Sequence, residues 1–307
     1  LPPLQVPESE EADTQELLNF SSVRLFIERG QANRHDYHPS ASELSLIGEL
    51  CRHLDGLPLA IELAASRLPV MSVKEIYSRL EDRFQLLSNT HRSLEPRHQK
   101  ILTALEWTYQ LLNTREQRLF CSLGIYTDMF SVKSVSDLLL IKDKHRWQVV
   151  DDLQRLLALS LIQVSTQVPE TRFRLLETMR QFACDKLRQQ GEYTVLEARF
   201  AGYYKVLVEE AQGDWFMLPT GQWRERYSHM LNDLRSVLQQ TLTEGADPSK
   251  GLKILQAMTP FWIEYSLYDE CQRHIYPLLY ENTSQVVLTL RQRMNLSAVA
   301  GKASTWA

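Results

Sequence analysis

Apolar residues recur along most of this chain every three or four positions, the spacing that lines one face of a helix. Leu17, Leu18, Val23, Leu25, Phe26 and Ile27 fit a single helix from about Thr14 to Gly30. Leu44, Ile47, Leu50, Cys51 and Leu54 fit the next. Short helices are expected from Pro58 to about Leu68 and from Ser72 to about Leu80, the first with Ala60, Ala64 and Ala65 small enough for close packing. Helical stretches then fit 97–112, 114–124, 132–140, 145–160 and 177–190. Two short runs, 161–165 and 172–176, instead look like strands. The polar turn 166–171 between them makes a hairpin the expected link. Beyond Gly191 the pattern is all helix. One helix fits 194–212, a second 221–245 with Tyr227, Leu234, Val237, Leu238 and Leu242 on one face, a third begins at Asp247-Pro248-Ser249, and a helical hairpin fits 261–280.

The starts of these helices carry their own signals. Ser40-Ala41-Ser42-Glu43, Ser72-Val73-Lys74-Glu75, Thr114-Arg115-Glu116-Gln117 and Thr194-Val195-Leu196-Glu197 all read as capping boxes. One start differs. Asp55-Gly56 stops the preceding helix, since glycine tolerates the left-handed backbone found past helix ends. Pro58 opens the next, where its missing N–H costs nothing. Leu57 before it has no side-chain oxygen to cap the first-turn amides, which could receive an acceptor from elsewhere, a nucleotide included. Asp55, a neighbouring carbonyl or water could equally satisfy them.

The order divides the chain into three. Residues 1–90 form a unit of four or five short helices, 91–190 show the helices-then-hairpin order of a winged helix, and 191–307 suggest a tetratricopeptide-like superhelix. The expected fold class is mainly α with one small hairpin. Composition agrees: 307 residues allow two or three domains, 44% are hydrophobic and 23% charged, and only 11 are glycine. A net charge of −4 gives no global attraction to nucleic acid or an anionic membrane. No apolar run approaches a membrane span, and the proline-rich start without Met reads as an internal cut of a longer protein. Cys51, Cys121, Cys184 and Cys271 are far apart in apolar contexts and read as buried free thiols of a cytoplasmic protein.

Catalytic signatures are missing. The chain has no Gly-x-x-x-x-Gly-Lys-Ser/Thr loop to cradle phosphates, no Gly-x-Gly-x-x-Gly, no Gly-x-Ser-x-Gly and no His-Glu-x-x-His. It is not expected to be an enzyme on its own. His35 and His38 lie in a polar loop without a third ligand. Asp151 and Asp152 read as the wet side of an amphipathic helix. Lys142, Lys144, His145 and Arg146 could meet phosphates, but Asp143, Asp151, Asp152 and Glu170 interrupt any basic face, so direct DNA binding is not expected. Trp215, Phe216, Trp223, Tyr227, Phe261, Trp262, Tyr265 and Tyr268 form an aromatic cluster whose helical spacing favours core packing over a ligand platform.

Gly56-Leu57-Pro58-Leu59 resembles the Gly-x-Pro motif of the AP-ATPase (STAND, NB-ARC-like) class of signalling NTPases, which includes large bacterial transcriptional regulators. Val23-Arg24-Leu25-Phe26-Ile27-Glu28-Arg29, Asp82-Arg83-Phe84-Gln85-Leu86-Leu87, Pro96-Arg97-His98-Gln99, Leu105-Glu106-Trp107-Thr108-Tyr109, Arg174-Leu175-Leu176-Glu177-Thr178 and Asn232-Asp233-Leu234-Arg235 extend the likeness in order over most of 1–270. The resemblance implies a helical lid, a winged helix and the start of a superhelical sensor. It makes Gly56, Leu57, Pro58 and Leu59 nucleotide-contacting, with the proline against adenine. The family's Met-His-Asp motif aligns with Leu176 and Glu177 at its last two positions, and leucine cannot donate to a phosphate. The phosphate loop, magnesium carboxylate and sensor arginine would lie upstream of Leu1. No cofactor is therefore expected on this chain alone. ADP or ATP would be held with an upstream nucleotide-binding domain of the same parent chain, and a protein or small-molecule signal would bind the repeats. A nucleotide-independent helical scaffold is the alternative, and a winged-helix DNA binder a lesser one.

Overall fold

The computed structural model describes residues 3–7, 14–87, 96–165, 171–242, 248–280 and 288–306. Residues 166–170 of the turn expected at 166–171 and the helix signal at Asp247 lie outside these residues. The fold is mainly α, with one two-stranded antiparallel sheet among the described residues. Two compact units emerge, and neither is a single stretch of chain. The first comprises 1–124 and 144–186, the second 125–143 and 187–307.

The first unit begins with α1 (Thr14–Leu17), α2 (Ser21–Asn33), α3 (Ala41–His53), α4 (Pro58–Ala65) and α5 (Val73–Leu87). Val23, Phe26, Ile47, Leu50, Leu54 and Ile61 are fully buried, and the small side chains of Ala60, Ala64 and Ala65 let α4 sit close to its neighbours. The single helix expected from Thr14 to Gly30 is broken at 18–20. Phe20 is extended at the start of α2, and residue 5 of the incoming chain holds that start. The Gln5 amide donates to Ser21 Oγ (3.1 Å), and Ser22 Oγ donates to the Gln5 carbonyl (2.7 Å). The capping box at Ser40 forms as the sequence indicates, with both reciprocal bonds to Glu43. Ser72 and Glu75 make the same pair of contacts.

After α6 (Pro96–Gln110) comes α7 (Thr114–Leu123). Its cap is Asn113, not Thr114: Asn113 Oδ1 accepts from the amides of Arg115 and Glu116, and Glu116 reaches back to the Asn113 amide at 2.8 Å. An Asn113→Ala variant should lose about 1 kcal/mol in urea denaturation while Thr114→Ala changes little. Equal losses would contradict this cap assignment. In the second unit, α8 (Val132–Leu138) precedes the return of the chain to the first unit. There α9 (Arg146–Ala158), β1 (Gln163–Ser165), β2 (Arg172–Arg174) and α10 (Glu177–Gln189) follow, α10 passing into the second unit at its end. The hairpin pairs Val164 with Phe173. Asp151 is exposed, but Asp152 is not on the wet side as expected. It is buried and takes a two-pronged contact from Arg115, at 2.8 Å from Nε and 2.7 Å from Nη2.

The second unit continues through α11 (Tyr193–Asp214), α12 (Thr220–Tyr227), α13 (Leu231–Thr241), α14 (Pro248–Ala257), α15 (Thr259–Glu264), α16 (Tyr268–Tyr280) and α17 (Leu290–Trp306). The long helix expected over 221–245 is two, separated by a short 3-10 turn at Ser228–Met230. Thr194 does not cap α11, which starts after Glu192 without any side-chain cap. The aromatic cluster divides. Trp223, Tyr227, Phe261 and Trp262 are core, whereas Trp215 is half-buried and Phe216 is 76% exposed. All four cysteines are buried free thiols. No described helix is long and apolar enough to cross a membrane.

Candidate functional site

The turn between α3 and α4 is built from two successive left-handed residues, Asp55 (φ 51°) and Gly56 (φ 64°). Their conformation lets the Gly56 amide donate back to the Cys51 carbonyl (3.0 Å) and the Leu57 amide to the Leu54 carbonyl (3.0 Å), closing α3. Lys100 of α6 holds the turn from outside, its Nζ 2.8 Å from Asp55 Oδ2. Leu57 is extended and offers no side-chain cap, and Pro58 occupies the first turn. The Ile61 amide finds the Leu57 carbonyl at 3.1 Å. The start of α4 is thus fixed from both sides while its earliest amides have no side-chain acceptor.

Gly56 has a second task that its motif does not announce. The Leu4 amide donates to the Gly56 carbonyl at 2.8 Å, and a Cβ at residue 56 would overlap the Leu4 carbonyl oxygen. Residues 3–7 therefore lie as an extended strap, fastened to this turn at Leu4 and to the start of α2 at Gln5. Beside the strap opens a cleft of about 440 Å³, walled by Pro3 and Leu4, by Arg24, Leu25 and Glu28 of α2, and by Pro58 and Glu62 of α4. Glu62 is tied to Arg29 at 3.2 Å. Of the four motif residues, Pro58 faces this cleft. Gly56 and Leu57 are buried beneath it, and Leu59 is half-buried outside its lining.

The second set of sequence candidates lies apart from this. Leu176 is half-buried just before α10, and Glu177 is the first, exposed residue of that helix. Arg180 holds the Glu177 carboxylate with bonds of 2.9 and 2.8 Å, and Gln181 adds a third. The Arg180 bond, more than charge alone, keeps this carboxyl below its usual range. Neither residue lines the Pro58 cleft.

Two features escaped sequence reasoning. Arg67, just beyond α4, is wholly buried, and none of its three guanidinium nitrogens has a hydrogen-bond acceptor. Its guanidinium carbon lies 5.3 Å from the centre of the Trp107 ring. Burial, reinforced by Arg155, pushes it down to about 9, so it remains charged at neutral pH. The only hint was a lone cation within the apolar run Ala64-Ala65-Ser66-Arg67-Leu68. The other is Asp233, near the start of α13 in the second unit. It is fully buried and accepts from the amide and hydroxyl of Thr127 (2.6 and 2.8 Å), the Asp128 amide (3.3 Å) and the Tyr204 hydroxyl (2.6 Å). Asn232 beside it donates to Asp128 at 2.8 Å, and Arg235 clasps Glu270. The Asn-Asp-Leu-Arg run is thus a docking element that pins the segment ahead of α8. Among the described residues no group of three His, Cys, Asp or Glu could hold a metal ion.

The fold and the cleft define a mainly helical chain in which an uncapped helix start is held beside a recess with apolar walls at Pro3, Leu4, Leu25 and Pro58 and charged ones at Arg24, Glu28 and Glu62. No family model matches it. Over 245 residues, 78% of its length, the chain is 31% identical to proteins of Mycobacterium tuberculosis and Mycobacterium bovis that bear the name "Putative HTH-type transcriptional regulator", and the match covers 27% of those proteins. A second Mycobacterium tuberculosis protein, named "Uncharacterized protein", is 30% identical over 189 residues, 61% of this chain and 48% of the relative. The chain spans about a quarter of the length of the first relatives and about half of the second.

Proposed function

We propose that this chain is the lid, winged-helix and sensor portion of a nucleotide-switched bacterial transcriptional regulator. Relatives named as regulators support a regulatory role. Their greater length supports a parent protein that supplies the rest of a nucleotide site. The observation that carries the nucleotide reading is the uncapped start of α4, with Pro58 turned to a largely apolar cleft. Such a recess suits a flat heteroaromatic base, and its proline offers a rigid apolar face. In this reading an upstream domain provides the phosphate loop, magnesium and catalytic groups, and this chain neither hydrolyses ATP nor holds ADP alone. Leu176 offers no donor, so the phosphates would be fixed by that upstream domain rather than by the winged helix.

The switch would work by differential contact. Pro58 and its strap would touch nucleotide in the closed state, and a signal on the helical repeats would favour the state that lacks this contact. Calorimetry with ADP on the full-length protein tests the reading. Pro58→Ala should weaken ADP by about tenfold, the loss of one well-packed apolar contact worth roughly 1.4 kcal/mol. Unchanged affinity would remove Pro58 from the site and leave the chain as a nucleotide-independent helical scaffold.

A further inference from the structure

The second unit contains a recess that no part of the nucleotide reading uses. It measures about 280 Å³ and is lined by Gln212 at the end of α11, Trp215 and Phe216 just after it, Gln256 of α14 and Asn295 and Ala298 of α17. Trp215 is not a loose surface ring. Its indole N–H donates to Glu264 Oε1 at 2.8 Å, and Arg224 holds the other oxygen of that carboxylate at 3.0 Å. The ring is fixed before anything binds, with Phe216 tilted against it at 5.0 Å between centroids. Phe216 of the lining and its chain neighbour Met217 are 76% and 82% exposed.

The polar lining is as distinctive. Gln212, Gln256 and Asn295 are all primary amides, each with donors and an acceptor, and no charged side chain lines the recess. Gln212 Nε2 makes a long 3.4 Å bond to the Gln256 carbonyl, and Gln256 Nε2 is buried without an acceptor. A buried donor left unmatched is costly, and a ligand carbonyl or a shift of the amide would relieve it. The volume lies at the lower edge of the range of about 300–1,000 Å³ usual for drug-sized ligands. It suits one uncharged side chain with its flanking peptide units, and the exposed Phe216–Met217 surface would receive the residues on either side.

We propose that this recess is a peptide-binding site, which takes an uncharged aromatic or branched aliphatic side chain from a partner protein, with Gln212, Gln256 and Asn295 pairing to its backbone. The proposal deepens the sensor reading above by naming the class of signal. It predicts that the 307-residue chain binds an N-acetylated, C-amidated alanine–phenylalanine–alanine peptide in saturation-transfer NMR, and ignores the same peptide with glutamate at the centre. Ala298→Trp fills the recess from an exposed helical position and should weaken binding by about tenfold or more. Phe216→Ser removes an exposed platform ring and should weaken it less. Circular dichroism would check that both variants fold as wild type does. Wild-type affinity in Ala298→Trp overturns the site, as does absence of binding at millimolar peptide. Toluene bound as tightly as the peptide would overturn the peptide assignment in favour of a free apolar ligand. Calorimetry of ADP on the full-length protein, with and without peptide, separates the two readings: peptide binding that leaves ADP affinity unchanged removes the sensor role and keeps the site.

Discussion

Gly56→Ala is expected to destabilise the first unit by about 3 kcal/mol. Holding an alanine at a left-handed φ costs roughly 1–2 kcal/mol, and glycine here sits at φ 64°. The new methyl would also overlap the Leu4 carbonyl oxygen, backbone that cannot swing aside as a side chain would. The strap must then lift, giving up the Leu4 bond to Gly56 and straining the Gln5 bonds to Ser21 and Ser22. Each such bond contributes about 1 kcal/mol. Urea denaturation measures the total, and hydrogen exchange at the Leu4 amide reports the strap itself. Wild-type stability with a protected Leu4 amide would show that the turn adapts and that the close approach is unimportant. Since Pro3 and Leu4 form one wall of the Pro58 cleft, the full-length variant should also lose ADP affinity under the proposed reading.

Asp233→Ala should cost the second unit about 3 kcal/mol or more. The change strands the buried Tyr204 hydroxyl, at about 1–3 kcal/mol, and removes the acceptor of the exposed Thr127 amide and hydroxyl and the half-buried Asp128 amide, bonds worth about 1 kcal/mol each where water can take over. Asp233→Asn should be far milder. Its oxygen still accepts from Thr127, and its new N–H group can donate to the Tyr204 oxygen. The two variants also differ in their response to pH. Burial, opposed by bonds from Tyr204 and Thr127, raises the Asp233 carboxyl from 3.8 to about 6. A raised acid binds its proton more tightly when folded, so its contribution is greatest below about pH 4. It falls as pH rises and is exhausted above about pH 6. The gap of about two pH units corresponds to about 3 kcal/mol. Stability of wild type relative to Asp233→Asn, followed by urea denaturation from pH 4 to 7, should therefore decline across that window. A difference that is flat with pH would show that Asp233 titrates as it does in the unfolded chain.

These two residues mark where sequence reading succeeds and where it stops. Signals that act within a few residues were legible: the Ser40–Glu43 capping box, Pro58 at the first turn of α4, the left-handed exit at Gly56 and the Val164–Phe173 hairpin. Even local signals err when neighbours compete. Asn113 outranks Thr114 as a cap because its side chain reaches two amides at once, and Thr194 lies inside a helix that began at Tyr193. What was hidden depends on residues far apart in the chain. Asp152 looked wet until Arg115, 37 positions earlier, folded against it. Asp233 meets Thr127 across 106 positions, and no periodicity encodes such a pairing. Pro58 stands out in the sequence by its missing cap, but the cleft it faces is completed by a strap that reads in the sequence only as a proline-rich segment.

The interleaving of the two units bears on how this protein is made. Residues 125–143 belong with a unit whose remaining chain begins at Leu187. During synthesis Thr127 leaves the ribosome 106 residues ahead of the aspartate that anchors it. At ordinary translation rates of about 5–20 residues per second, the Thr127–Asp128 segment waits several seconds for that carboxylate. Val135 and Leu138 of α8, buried in the finished unit, wait only for α11, the helix that α8 packs on. Nascent chains stalled before Asp233 should accordingly be more open to proteases at 125–143 than those stalled after α13. Any fragment cut near residue 190 keeps this waiting segment and loses what it waits for.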